Sequence, residues 1–223
     1  MKTYRYETHC HTNGFSACAK SSPKEMVEKF HSLGYTGVII TEHFNGSCKF
    51  RKDEIGWENY INNLYSTYEQ AKIEGDKLGL DVFFGMEYGF HWAHFLILGL
   101  DRDWLLNNPD ILDVPPEQVL NRVRLDGGFI VHAHPFRNGV DRVILFPDLI
   151  DAVETINANR TNLSNYRALK YAQMLDLPQT AGSDIHSIFQ TRLGSVVTDR
   201  RLTDIHDYIK TIKDGTYHIE LTE

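Results

Sequence analysis

Long apolar runs are missing from this 223-residue chain: no stretch approaches the roughly 18 residues that a membrane-spanning helix needs. The start, Met1-Lys2-Thr3-Tyr4-Arg5, is polar and lacks a signal-peptide core, so a cytoplasmic protein with no membrane partner is expected. Cysteine is scarce. Cys10, Cys18 and Cys48 form neither an even set nor a Cys-x-x-Cys pair, which argues against a disulfide framework and against a Cys-rich structural zinc site. Basic residues are outnumbered, 23 Lys and Arg against 30 Asp and Glu, and the net charge of -7 argues against duplex nucleic acid as a partner. A small phosphorylated substrate stays open, because bound divalent ions would add positive charge that the sequence count omits. Low-complexity tracts, charge blocks and linkers are also lacking, so residues 1–223 read as a single domain with a sizeable core.

What the chain does have is histidine, 11 copies of it. His31, His91, His132, His206 and His218 have no partners by motif, while the other six fall in short clusters close to Asp or Glu. The first cluster, Thr8-His9-Cys10-His11-Thr12, closes a Tyr- and Thr-rich segment that favours a strand. Strand residues i and i+2 share a face, so His9 and His11 point the same way and Cys10 points into the core.

The later clusters repeat one arrangement. Ser22-Pro23-Lys24-Glu25 is a capping box opening a helix that should run to about Leu33 and stop at Gly34. The buried strand Gly37-Val38-Ile39-Ile40-Thr41 then runs into Glu42-His43. A helix from about Trp57 to Leu78 leads to Val82-Phe83-Phe84-Gly85-Met86-Glu87, and His94 to Leu98 reads as its hairpin partner. Pro115-Pro116 opens a further helix before Gly128-Phe129-Ile130-Val131, which enters His132-Ala133-His134-Pro135. Ala152 to Ile156, a helix from about Ser164 to Leu175, Gln179 to His186, a strand near Ser195 and a last helix from about Asp204 complete the series. Alternating strands and helices predict a parallel sheet of about seven units with its site at the strands' carboxyl ends. Closure into a barrel would let His9 and His11 meet Asp184 and His186.

Six motifs in this order, His9-Cys10-His11-Thr12, Thr41-Glu42-His43, Gly85-Met86-Glu87, His94 to Gly99, Ala133-His134-Pro135 and Gly182-Ser183-Asp184-Ile185-His186, resemble those of the PHP family of polymerase and histidinol phosphatase metallohydrolases. The resemblance spans residues 4 to about 198 and implies a distorted, TIM-like seven-stranded β/α barrel, a di- or trinuclear centre, and histidinol-phosphatase-like phosphoester hydrolysis. Carried over by motif, His9, His11, Glu87 and Asp184 would hold the first ion. Glu87 would bridge to a second held by His94 and His134, and His43 and His186 would take a third. Glu87 and Asp184 are therefore also the catalytic candidates. Imidazole and carboxylate donors suit two or three divalent Zn, Mn or Fe ions. Where many members of the family carry an Asp or His in the loop after the first motif, this chain reads Asn13-Gly14-Phe15-Ser16-Ala17-Cys18. Cys18 is the strong ligand in reach, so either its thiolate binds the third ion or that ion is weakly held or missing. His132 is expected on the same strand face as His134, Glu42 in a supporting role and His91 at the rim. Arg137 and Arg160 follow strand ends and are the substrate-binding candidates, because a guanidinium fork matches phosphate oxygens. Hydrolysis of an amide or cyclic ester on the same ions, and a metal-binding module without catalysis, are the competing readings.

Overall fold

The computed structural model describes residues 2–222. Nine strands form one sheet: β1 (Tyr4–Cys10), β2 (Gly37–Phe44), β3 (Asp81–Phe90), β4 (Ala93–Leu98), β5 (Phe129–Ala133), β6 (Ala152–Asn157), β7 (Gln179–Gly182), β8 (Leu193–Thr198) and β9 (His218–Thr222). Their order is β7-β6-β5-β4-β3-β2-β1-β8-β9. The expected α/β barrel is present as a nearly closed one. The seam lies where β8 crosses β7, and it is tight because glycines face each other there: a Cβ on Gly194 would sit 2.4 Å from the Gly182 carbonyl oxygen.

The sheet is mixed rather than parallel. β1, β2 and β3 run parallel, as do β5, β6 and β7, but β4 is antiparallel to both β3 and β5, and β8 is antiparallel to β1 and β9. Only His91 and Trp92 separate β3 from β4. A link that short permits a hairpin and forbids the crossover that parallel neighbours require.

Seven helices flank the strands: α1 (Pro23–Ser32), α2 (Lys52–Ile55), α3 (Trp57–Leu78), α4 (Arg102–Leu106), α5 (Pro116–Leu125), α6 (Asn162–Leu175) and α7 (Ile205–Asp214). The capping box opens α1 as the sequence requires: Ser22 Oγ accepts from Glu25 N, and the Glu25 carboxylate accepts from Ser22 N. Strand alternation sorts the core into layers. Ile39, Phe83, Phe129 and Val196 point inward and pack with Tyr208, Ile209 and Ile212 of α7, which fills the barrel at the amino ends of the parallel strands. Val38, Ile40, Val82 and Cys10 face outward against α1. With one end plugged, the carboxyl ends of the strands form the open mouth. No helix among the described residues is long and apolar enough to cross a membrane.

Candidate metal centre

Register places the polar residues. Parallel pairing of β2 with β3 sets His43 directly beside Glu87, on the inward face that Ile39 and Phe83 occupy two turns of the pleat below. Antiparallel pairing sets His94 beside Gly89 on one side and Ala133 on the other. A one-residue bulge in β1 between Glu7 and Cys10 and another in β6 between Glu154 and Ile156 re-aim side chains beside the centre.

Glu87 is the hub. His43 Nδ1 lies 2.6 Å from its Oε2, and His94 Nδ1 and His134 Nε2 lie 2.8 and 3.0 Å from its Oε1. His9 Nε2 and His11 Nε2 stand at 3.3 and 3.5 Å. Asp184, reached through a left-handed backbone at φ 50°, approaches the Nε2 atoms of His9, His11 and His134 at 3.7, 3.6 and 3.8 Å. The His11 ring stacks between His43 and His186, at 4.2 and 4.4 Å. All of the His, Glu and Asp ligand candidates thus converge at one mouth.

Cys18 joins them at the edge. Its Sγ lies 3.2 Å from His43 Nε2 and also hydrogen-bonds His186. His186 Nδ1 donates to the Asp184 carbonyl, which leaves its other ring nitrogen for a ligand. His43 therefore touches both Glu87 and Cys18, through opposite ring nitrogens.

The electrostatics suit a site that holds cations. Burial pushes the Glu87 carboxyl up, but His94, His9 and their neighbours outweigh it and hold it well below the usual range. Asp184 likewise falls to about 2 in spite of its burial, through His9, His134 and Arg160. Burial would lower His43, yet contacts with Cys18 and Glu87 raise it to about 10, while His134, mainly desolvated, drops to about 4. Burial raises the Cys18 thiol, but hydrogen bonds to His186 and His43 bring it down to about 6. Without ions, protons on imidazole balance the buried acids. His9 Nε2 and His11 Nε2 are fully buried and make no hydrogen bond among the described residues. Bare imidazole nitrogens aimed at two carboxylates fit divalent metal ions of the imidazole-and-oxygen class.

Two further buried acids brace the loops. Glu42 accepts from the amides of Thr12 and Ser16 at 3.0 and 3.1 Å and from both hydroxyls, which fixes the turn leading to Cys18. Glu7 accepts from His9 N, Ser183 N and the Ser183 hydroxyl, tying β1 to the residue before Asp184. Burial raises each to about 7 against these hydrogen bonds.

Arg160 Nη2 donates to Asp184 Oδ2 at 2.6 Å, and Arg137 Nη1 sits 3.2 Å from both ring nitrogens of His94. The Nε atoms of both arginines are buried and lack a hydrogen-bond partner among the described residues. His132 does not share the face of His134. The left-handed turn at His134, φ 30°, breaks the alternation, so His132 faces outward against Phe95 and Tyr171. His91 lies in the β3–β4 turn, exposed, as expected of a rim residue.

Like Glu7, one more acid lies outside the motifs. Glu154, buried in β6, lies 2.8 Å from His9 Nδ1 and accepts from His134 N. A glutamate inside the apolar run Ala152 to Ile156 was the available signal, though a solvent-facing strand residue has the same appearance. Gly182 makes room for it: a Cβ there would lie 2.5 Å from His9 Cβ and 2.7 Å from Glu154 Oε1. Gly182→Ala should therefore cost roughly 1–3 kcal/mol through overpacking and should weaken metal binding as well. Urea unfolding and chelator competition on the variant check both, and wild-type values in each would contradict this packing.

The PHP domain family matches the chain over residues 7–222. No protein in the curated collection matches it. Among solved structures, a two-domain protein from Bacteroides vulgatus that contains a predicted PHP-like metal-dependent phosphoesterase superposes with a TM-score of 0.74 at 16% identity, covering 98% of this chain; the chain spans 65% of that protein. PsfC from Pseudomonas syringae gives 0.65 at 18% identity, with 94% and 88% covered. An amidohydrolase from Chromobacterium violaceum, with bound sulfate, gives 0.56 at 12%, with 82% and 87% covered. At these identities the structures speak for the fold, whereas the sequence match extends through every element that carries a histidine of the centre, and on that ground the chain belongs to the PHP family.

Proposed function

We propose that the chain is a metal-dependent phosphoesterase that hydrolyses a small phosphate ester in the cytoplasm. The observation that carries this reading is the pair of arginines with unpartnered buried Nε atoms, Arg137 and Arg160, one against His94 and the other against Asp184. A metal centre flanked by two such forks suits a tetrahedral dianion.

His9, His11, Glu87 and Asp184 would hold the first ion, Glu87, His94 and His134 the second, and His43, His186 and Cys18 the third. Bound Zn, Mn or Fe ions would supply Lewis acidity and an activated water near neutral pH. The chain's own groups do the rest. Arg137 and Arg160 orient the phosphoryl oxygens, and Arg160 can exchange its Asp184 contact for substrate without crossing the site. Glu87 and Asp184 stay ionised although buried, where fixed charge acts more strongly than in water.

Phosphate release from p-nitrophenyl phosphate by metal-loaded protein tests the reading. Asp184→Ala and His11→Ala should each abolish it, and full turnover in both would defeat the proposal. Histidinol phosphate, sugar phosphates, phosphodiesters and lactones run in parallel define the substrate: release from a lactone alone would favour a different hydrolase, and tight metal binding without any turnover a module with no catalysis.

Cys18 has its own signature. Protein loaded with cobalt(II) should show a thiolate-to-metal charge-transfer band in the near ultraviolet that Cys18→Ser removes. Identical spectra would remove Cys18 from the ligand set.

A further inference from the structure

Glu154 belongs to none of the metal motifs, and its surroundings show a specific task. Its Oε1 accepts from His9 Nδ1 at 2.8 Å, and its Oε2 accepts from His134 N at 3.0 Å and from Asn157 Nδ2 at 2.8 Å. Both oxygens are thus engaged by three donors. They lie across the His9 ring from Glu87 and Asp184, which face His9 Nε2 at 3.3 and 3.7 Å. Close packing reinforces the placement, because Gly182 alone leaves space for the carboxylate against β7.

A neutral imidazole carries one proton, and the hydrogen bond made by one nitrogen decides which nitrogen keeps its lone pair. We propose that Glu154 is a positioning residue: in the ion-loaded protein it holds the proton of His9 on Nδ1 and so leaves Nε2, on the side of Glu87 and Asp184, as the nitrogen that coordinates, and through the His134 amide it fixes the turn that aims the second imidazole. One carboxylate thereby orients a ligand of the first ion by its side chain and a ligand of the second by its backbone. With Oε1 and Oε2 occupied in this way, Glu154 is not itself a ligand, although His9, His134 and Glu154 place donor atoms within 4.8 Å of one another. The bulge between Glu154 and Ile156 serves the same arrangement, since it brings Asn157 round to clamp Oε2.

The inference rests on the metal-centre reading, and the experiment separates the two. Zinc-loaded protein labelled with nitrogen-15 in histidine reports which ring nitrogen of His9 carries hydrogen. The expected spectrum shows a slowly exchanging Nδ1–H on His9 and zinc at Nε2. In Glu154→Gln that proton should exchange faster, and zinc affinity by chelator competition should fall roughly 10- to 100-fold, the usual effect of losing such a partner. Zinc on Nδ1 of His9 in the wild-type protein would overturn the proposal, and this result needs no variant to fold. Wild-type affinity and an unshifted resonance in folded Glu154→Gln would overturn it equally. Wild-type protein that binds no zinc, manganese or iron would instead bring down the metal-centre reading, and the inference with it.

Discussion

Glu87→Gln is expected to lower phosphate release by more than roughly a thousandfold, because the bridging ligand proposed for Glu87 would supply several kcal/mol of transition-state stabilisation and each 1.4 kcal/mol is a factor of ten. Five imidazoles surround this carboxylate between 2.6 and 3.5 Å. Glutamine preserves the shape but removes the charge and turns an N–H₂ toward groups that need an acceptor. The same change should make the metal-free protein less stable at neutral pH. His9 is held protonated there by Glu154, Asp184 and Glu87, and His43 by Cys18 and Glu87; removing the charge they share leaves buried positive charge uncompensated, at a cost on the order of 3–5 kcal/mol. Metal content, phosphate release and urea unfolding of the variant test all three consequences. Turnover within about tenfold of wild type would show that Glu87 is not the bridge.

Much of this centre was legible because its chemistry sits at strand ends. An apolar run followed at once by His, Asp or Glu, as in Gly37 to His43 or Val82 to Glu87, marks both the buried strand and the mouth to which it delivers. Alternation put His9 and His11 on one face, and the clusters that follow gave the pair its meaning. Sheet direction was less so, since periodicity reports burial and says nothing about orientation. The two-residue link at His91 and Trp92 carried the missing information, and it favours a hairpin. β9 escaped notice because His218 to Thr222 is a half-exposed strand without an apolar run.

Glu42 was expected in a supporting role; Glu7 and Glu154 were not, and the partners of all three acids were hidden for a different reason. Each occurs singly within its strand, and a sequence cannot distinguish a buried carboxylate with several donors from one in water. Their partners are backbone amides and hydroxyls of Thr12, Ser16, Ser183 and His134, brought near only by closure of the barrel. His132 was misplaced for a local reason. The residue before a proline usually stays extended, but His134 adopts φ 30° ahead of Pro135, and that one torsion separates two histidines that alternation would align.

His132 gives the second large effect, on stability rather than catalysis. It is fully buried between Phe95 and Tyr171, and neither ring nitrogen has a hydrogen-bond partner among the described residues. Burial lowers it to about 3, from 6.5, with His134 and His94 adding to the shift. Its folded form therefore resists protonation that the unfolded chain accepts. At pH above 6.5 the two states bind equal protons and the group has no pH-linked effect; as pH falls from 6.5 toward 3 the unfolded state gains a proton and stability drops by roughly 1.4 kcal/mol per pH unit. His132→Phe keeps a ring against Phe95 and removes two unsatisfied polar atoms, each costing about 1–3 kcal/mol when buried. The variant should be more stable at neutral pH, and its loss of stability between about pH 7.5 and 5.5 should be smaller than that of wild type by roughly 1.4 kcal/mol. Urea unfolding at the two pH values measures the difference between differences, so the acids shared by both proteins cancel. Equal pH dependence in the two would mean that His132 takes up its proton in the folded state, against its burial between Phe95 and Tyr171.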